Sequence, residues 1–281
     1  MITTLEGLMG SGKSMTASTL TYVRYTNREI ERYCLKLFNS KQASPREAFV
    51  DIQQNYGVKK KMAEQLVMSA VHAARQGATD LPSIRIYSNI SLNIPYVKFD
   101  AGYFVAHVND HEMDDCILLL DEAYLLMDSR SGQTKMNKLG SYFVAQTRKR
   151  DVDMYVCVQH VDLVDKRLRR AVDERGTCHY RKEDPCSKCG GTGSIQRRSL
   201  ISIKNRDAIV KDLVGPLSEA EKCTRCLGYG VTGWATTTFY NKKTRKRRRL
   251  TIFGPAVFWV FDTKELVGLT KQQVAVAEED L

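Results

Sequence analysis

The sequence predicts an α/β protein whose mostly parallel central sheet is flanked by helices, with a small module inserted late in the chain. Three observations lead there. Strand-sized apolar runs alternate with helical stretches from Met1 to about Val158, the texture of a parallel sheet with helical crossovers. A glycine-rich turn joins the first run to the first helix. From about Pro185 to Arg249 the composition shifts to glycine, cysteine, lysine and arginine, before strand character returns at Thr251 to Phe261. The expected division is therefore a core over 1–182, an inserted module over 183–249, and a last core strand with the acidic tail Glu278-Glu279-Asp280 over 250–281.

Met1 to Leu5 reads as a short buried strand and Met15 to Arg24 as a helix. Between them Gly7-Leu8-Met9-Gly10-Ser11-Gly12-Lys13-Ser14 fits the phosphate-loop pattern G-x-x-x-x-G-K-[ST] at every fixed position, in the strand-to-helix setting that the pattern needs. Glycines let the backbone curl, so that successive N–H groups and the helix N-terminus face bound phosphates. Gly7, Gly10, Ser11, Gly12, Lys13, Ser14 and Met15 are the expected nucleotide-binding residues. Lys13 would reach the β and γ phosphates of ATP, and the Ser14 hydroxyl would ligate Mg²⁺, which takes oxygen ligands in an octahedron.

Residues 27–76 are polar and helix-like and read as a helical excursion, with a capping box and a first-position proline at Ser44-Pro45-Arg46-Glu47. Strands follow at Ser83 to Ile90, Phe104 to Val108, Cys116 to Leu120 and Asp153 to Val158, with helical stretches near Ala123 and over Lys138 to Thr147. The strand Cys116 to Leu120 ends in Asp121-Glu122. Downstream of a phosphate loop, Asp121 is the expected Mg²⁺ holder, directly or through water, and Glu122 the residue that orients and deprotonates an attacking water. Taken alone, such a pair is equally a helix N-cap. Its two carboxylates favour hydrolysis over phosphate transfer to a small acceptor. Gln159, just after Met154 to Val158, lies at the strand end where ligands collect in parallel sheets and is the candidate γ-phosphate sensor, with a polar loop-opening residue as the plain alternative.

Arginines crowd at Arg148, Lys149 and Arg150, and again at Arg167, Arg169 and Arg170. Arg150 and Arg169 are the candidates for a finger supplied in trans by a neighbouring subunit, because spread phosphoryl charge is best met by a guanidinium. Most of the cluster reads as solvated or DNA-facing surface.

The series Asp121-Glu122-Ala123, Arg130, Ala145-Gln-Thr-Arg148-Lys149, Val158-Gln159, Leu168-Arg169 and Phe261-Asp262-Thr263 resembles the zonular occludens toxin-like branch of the FtsK/HerA-type P-loop ATPases. The resemblance covers the core and not the cysteine module. That branch includes filamentous-phage morphogenesis proteins and is related to viral genome-packaging ATPases, which move DNA through hexameric or similar rings. It implies the ATPase roles set out above for Lys13, Ser14, Asp121, Glu122 and Gln159, a ring-forming homo-oligomer, and a portal or coat protein as a further partner. The phage morphogenesis members typically carry a membrane-spanning segment. Here no apolar run approaches the roughly 18 residues of a spanning helix, so a soluble packaging motor is expected rather than a membrane-anchored one.

Two repeats of C-x-x-C-x-G-x-G, Cys186 to Gly193 and Cys223 to Gly230, supply the thiolates for one tetrahedral Zn²⁺ site at Cys186, Cys189, Cys223 and Cys226. Closed four-cysteine sites hold folds together and leave no open position for catalysis. The unit resembles the zinc-binding repeats of DnaJ-type chaperones, with two copies in place of four. Cys178-His179 reads as strand-lining, with a further metal-ligand pair as the alternative, and Cys34, Cys116 and Cys157 read as core residues. Between the second pair and the last strand, seven of the eight residues from Lys242 to Arg249 are basic, which suits either a phosphate backbone or a solvated hairpin tip between Thr236 to Tyr240 and Leu250 to Phe253, with nuclear targeting a weaker reading.

With 43 basic and 32 acidic residues the chain carries a formal charge of +11, which favours an anionic partner, nucleic acid or a membrane surface. The N-terminus lacks a charged segment followed by an apolar one, so a cytoplasmic location is expected, the host cytoplasm if the protein is viral, with virion association as a second possibility. That compartment argues against disulfides among the eight cysteines. The leading expectation is an ATP-hydrolysing DNA translocase, for double- or single-stranded DNA, in viral genome packaging or phage morphogenesis. The alternatives are a zinc-stabilised nucleic-acid-binding protein with a nucleotide-dependent switch and little turnover, and, more weakly, a small-molecule kinase.

Overall fold

The computed structural model describes residues 1–123, 135–183, 185–195, 221–226, 230, 232–254 and 260. The chain folds as the α/β class predicted: β1 (Ile2–Glu6), β2 (Arg85–Ser88), β3 (Val97–Lys98), β4 (Cys116–Leu120), β5 (Asp153–Val158), β6 (Glu174–Glu183), β9 (Thr232–Asn241) and β10 (Arg247–Phe253) form one sheet in the order β10-β9-β6-β1-β5-β4-β2-β3. From β6 to β3 the neighbours are parallel, and β9 and β10 add an antiparallel edge. A second, two-stranded sheet pairs β7 (Ser194–Ile195) with β8 (Glu221–Lys222).

Both faces of the central strands are covered, so β4 is apolar throughout and β1 buries even its two threonines, Thr3 and Thr4. Along β4, Leu118 and Leu120 enter one core with Phe104, Phe143, Val156 and Leu168, while Ile117 and Leu119 enter the other with Leu5, Met15 and Cys157. The first face is packed by α4 (Ala101–His107), α5 (Lys135–Gln146) and α6 (Lys166–Ala171), the second by α1 (Lys13–Asn39). A third core, with Ile30, Leu35, Ile52 and Leu66, joins the far half of α1 to α2 (Pro45–Tyr56) and α3 (Lys60–Arg75). The capping box forms at Ser44, whose hydroxyl accepts from Glu47 N while the Glu47 carboxylate accepts from Ser44 N.

Three expectations need correction. The first helix does not stop near Arg24: its 27 residues contain no glycine or proline, Arg24 and Arg28 tie it to Asp153 and Asp115 at the amino-terminal edge of the sheet, and its continuation packs on α2 and α3. Phe104 to Val108 is helical rather than extended. Asp100 caps that helix by accepting from Tyr103 N at 2.8 Å, and Ala101, Phe104 and Val108 fall at helical spacing and are buried. Finally, the insertion is shorter than 183–249. β9 and β10 extend the core sheet, with β9 paired to β6 from Asn241 opposite Glu174 to Thr232 opposite Glu183, so both strands belong to the core and not to the insertion. Arg130, the helical stretch after Ala123, most of Thr251 to Phe261 beyond β10, Phe261-Asp262-Thr263 and the acidic tail lie outside the described residues.

Candidate nucleotide site and four-cysteine cluster

The parallel strands end at one edge, and β5 lies between β1 and β4. The loop after β1, Gln159 after β5 and Asp121-Glu122 after β4 therefore sit side by side, the placement that parallel α/β sheets give to ligand-binding residues. Residues 7–12 turn from β1 into α1. Gly12, at the N-cap, has φ 84°, and a Cβ there would stand 3.0 Å from the Ala235 methyl of β9. Lys13 is only 5% exposed and donates from Nζ to the carbonyls of Gly7 (2.9 Å) and Leu8 (3.1 Å), which centres its ammonium within the loop. Met15 turns its side chain into the core, leaving only its main chain toward the loop.

Ser14 Oγ donates to Asp121 Oδ2 at 2.5 Å across 107 residues of sequence. This contact joins the loop to the acidic pair. Asp121 is buried and its main chain is clamped by Asn89, whose Oδ1 accepts from Asp121 N (2.8 Å) and whose Nδ2 donates to Asp121 O (2.7 Å). Asp121 Oδ1 in turn accepts from Glu122 N at 3.1 Å. Glu122 has φ 48°, a left-handed conformation uncommon outside glycine and found disproportionately at functional sites. Its Oε2 is buried without a hydrogen-bond partner, as is Ser11 Oγ in the loop. Buried acceptors and hydroxyls in that state are costly, and both would be satisfied by a phosphorylated ligand and its attendant water. The oxygens of Ser14 and Asp121 fit Mg²⁺, a hard cation. Gln159 is half-buried at the end of β5.

The arginine candidates are placed elsewhere. Arg150 lies before β5, at the opposite edge of the sheet. Its guanidinium donates to Asp114 Oδ1 (2.5 Å), Val108 O (2.6 Å) and Asp110 O, and stands over the Phe143 ring, with the side chain 10% exposed. A group so committed is a structural tie, not an arm free to reach a neighbour. Arg169, at the end of α6, pairs with Asp162 at 2.6 Å, and its carbonyl accepts from Lys242 Nζ. Asn89 was invisible to motif reading. The only signal is a polar residue directly after an apolar strand, at the edge where Asp121 also emerges.

The four module cysteines do converge. Their sulfurs all lie within 4.8 Å of one another, with Cys186–Cys223 at 4.0 Å and Cys189–Cys226 at 3.6 Å. A tetrahedral Zn²⁺ with bonds of about 2.3 Å requires sulfurs about 3.8 Å apart. The repeats are related by a swap of main-chain bonds: Cys186 N donates to Gly230 O and Cys223 N to Gly193 O, each at 2.8 Å. In each repeat the last glycine donates its N–H to the second cysteine, Gly193 to Cys189 and Gly230 to Cys226, both at 3.3 Å. Gly230 has φ 74° and approaches Gly191 O too closely for any side chain.

Burial opposes ionisation of Cys189, but the N–H groups of Gly193 and Gly191 and the thiols of Cys226 and Cys186 outweigh it and bring its pKa down to about 6. Cys223 is also lowered, in its case by Cys226 and Arg225 N–H groups working against desolvation. Burial drives the core thiols the other way, Cys34 to about 11 and Cys116 to about 12. Only the first group suits metal-binding thiolates. The module leaves the sheet at the same edge as the phosphate loop, three residues beyond the Tyr180–Ala235 pair that flanks Gly12, or about 10 Å of ribbon.

The basic run forms the turn from β9 to β10 and the start of β10, at the opposite edge. Lys243 pairs with Asp173 (3.3 Å) and Arg248 with Glu174 (2.6 Å), so part of its charge is met within the protein. No helix among the described residues is long and apolar enough to cross a membrane.

Neither a protein-family model nor a curated protein sequence matches this chain. Among solved structures it is similar to the N-terminal domain of zonular occludens toxin from Neisseria meningitidis, at 13% identity and a TM-score of 0.41, over 93% of this chain and 98% of that one. It is also similar to the genome packaging NTPase of Sulfolobus turreted icosahedral virus 2, at 9% identity and a TM-score of 0.38 for the sulfate complex, covering 88% of this chain and 94% of that chain. The ATP-gammaS complex of the same NTPase gives 11% and 0.36, over 88% and 95%.

Proposed function

We propose that this chain is an ATP-hydrolysing DNA translocase, a motor for viral genome packaging or phage morphogenesis that works as an oligomeric ring. The observation that carries the reading is the Ser14–Asp121 contact, which sets the phosphate loop against a buried carboxylate and the adjacent, unpartnered Glu122 oxygen. Amide N–H groups of residues 7–14 hold the phosphates and Lys13 neutralises the β and γ groups. Ser14 and Asp121 hold Mg²⁺, which offsets phosphate charge when bound. Glu122 positions a water and takes its proton as the water oxygen bonds to the γ phosphorus. The bond from that phosphorus to the β–γ bridging oxygen breaks, leaving ADP and phosphate. Gln159, between the two halves of the site, reports the γ phosphate.

Cys186, Cys189, Cys223 and Cys226 hold one structural Zn²⁺, and the net charge of +11 suits a nucleic-acid track. Arg169 remains the candidate for a residue acting in trans, since Arg150 is engaged by Asp114. The test is ATP turnover by the full chain with and without DNA, for wild type, Lys13→Ala and Arg169→Ala. DNA-stimulated hydrolysis lost in Lys13→Ala supports the reading. A DNA-independent rate from a monomer overturns it.

A further inference from the structure

On β6, β9 and β10 the residues that alternate with the buried set form an exposed surface, and the strand registers fix what stands beside what. From the Arg175 end the cross-strand rows are Arg175–Tyr240–Arg247, Thr177–Thr238–Arg249, His179–Thr236–Thr251 and Arg181–Trp234–Phe253, and a last row pairs Glu183 with Thr232. Trp234 is 44% and Tyr240 39% exposed, and Thr177, His179, Arg181, Thr238, Arg247, Arg249 and Thr251 are exposed as well. The four rows from Arg175 to Arg181 contain no carboxylate, and Glu183 is the acidic residue of the last row. Among the described residues no ion pair reaches Arg175, Arg181, Arg247 or Arg249, whereas Arg248, on the opposite face, is held by Glu174 and stacked on Phe239. Arg175 and Arg247 stand on either side of Tyr240, two strand spacings apart, so the face gathers positive charge around an aromatic ring without a directly opposed like-charge pair.

The pattern is more specific than a basic patch. Each aromatic is flanked by arginine, and the two stand six residues apart on one strand, about 20 Å. At the Arg175 end the surface runs into a groove of about 490 Å³ lined by Lys166, Arg169, Arg170 and Lys242, with Asp162 the acidic member. Burial and the neighbouring Arg175 both lower the pKa of Lys242, a sign of the positive potential concentrated there.

A duplex shows a protein its phosphates and groove edges but keeps its base faces stacked, so exposed rings set among arginines would add nothing to duplex binding. An unpaired strand offers both base faces and phosphates. Threonines between the rings carry no bidentate base-reading group, so recognition should tolerate any sequence. We propose that the exposed face of β6, β9 and β10 is a binding platform for single-stranded nucleic acid, with bases stacked on Trp234 and Tyr240 and phosphates on Arg175, Arg181, Arg247 and Arg249. The proposal rests on the nucleic-acid half of the function proposed above, narrows it to single strands, and does not require hydrolysis.

The test measures anisotropy of a labelled 20-nucleotide single strand of mixed sequence, and of the duplex made from it, at one fixed salt concentration with the full chain. Wild type should bind the single strand more tightly than the duplex. Trp234→Ala and Tyr240→Ala should each weaken single-strand binding about tenfold, leave duplex binding unchanged, and be rescued by Trp234→Phe and Tyr240→Phe. Lys13→Ala should retain single-strand binding while losing any ATP turnover, so a failure of the platform and a failure of the hydrolysis reading are separable. Equal affinity for both forms overturns the proposal. So does a result in which Arg181→Ala and Arg249→Ala weaken binding but both aromatic variants, alanine and phenylalanine alike, behave as wild type.

Discussion

Replacing Asn89 by alanine removes both hydrogen bonds that clamp the main chain of Asp121, at 2.8 and 2.7 Å, without touching the phosphate loop. The N–H and C=O left behind are partly buried and regain water only in part, at about 1 kcal/mol or somewhat more each. The expected loss is about 2–3 kcal/mol of stability, or a fall of about 3–5 °C in Tm for a chain of this size. The catalytic effect should be larger in proportion. Asp121 also holds Ser14 and, through Oδ1, the Glu122 N–H, so a loosened Asp121 misplaces both carboxylates, and a shift of about 1 Å can cost about a hundredfold in rate. ATP turnover should therefore drop ten- to a hundredfold while nucleotide affinity changes by less than about threefold. Calorimetric melting, steady-state hydrolysis and titration with a fluorescent ATP analogue read the three quantities. Wild-type Tm and turnover in Asn89→Ala, or loss of nucleotide affinity in step with turnover, would refute the reasoning.

Glu122→Gln keeps the side chain's shape and removes its basicity, so hydrolysis should fall at least about a hundredfold with ATP binding retained, as a single-turnover assay with labelled ATP will show. The full chain should purify with one equivalent of zinc by elemental analysis, and Cys189→Ser should lose the metal and lower the Tm; zinc-free protein at wild-type stability would remove the assignment. Asp173 accepts from Ile2 N and pairs with Arg148 and Lys243, and although burial alone would raise its pKa, those contacts hold it below the usual value. Its stabilisation is thus complete above the ordinary carboxylate pKa of about 4 and disappears as pH falls through the lower native value. Asp173→Asn should cost about 1–3 kcal/mol near neutral pH, and the gap to wild type should narrow below about pH 4 in urea titrations; a gap that widens in acid would contradict this.

What the sequence made legible was local. The phosphate loop, β4 with its acidic end, the Ser44 capping box and the paired cysteines are each fixed by spacing within a few residues, and each is where the motif put it. The misreadings share a different cause. The helix read over Met15 to Arg24 and the helical stretch after it are one element, which local pattern does not join because the partners that hold it, Asp115 and the α2–α3 core, are far off in sequence. β9 and β10 look like part of a basic insertion because strand residues there are threonine and arginine, and only pairing with β6 makes them core. Asn89 gains its role through Asp121, 32 residues away, and Arg150 loses its expected one to Asp114, a carboxylate no charge pattern could single out.

The reciprocal bonds between the two cysteine repeats, Cys186 N to Gly230 O and Cys223 N to Gly193 O, tie the halves of the module directly to each other. Each repeat's first cysteine is held by the last glycine of the other. Loss of either repeat would leave the surviving one with a buried N–H lacking its acceptor, at a cost of about 1–3 kcal/mol. Neither half is therefore a self-sufficient unit, and the two stand or fall together.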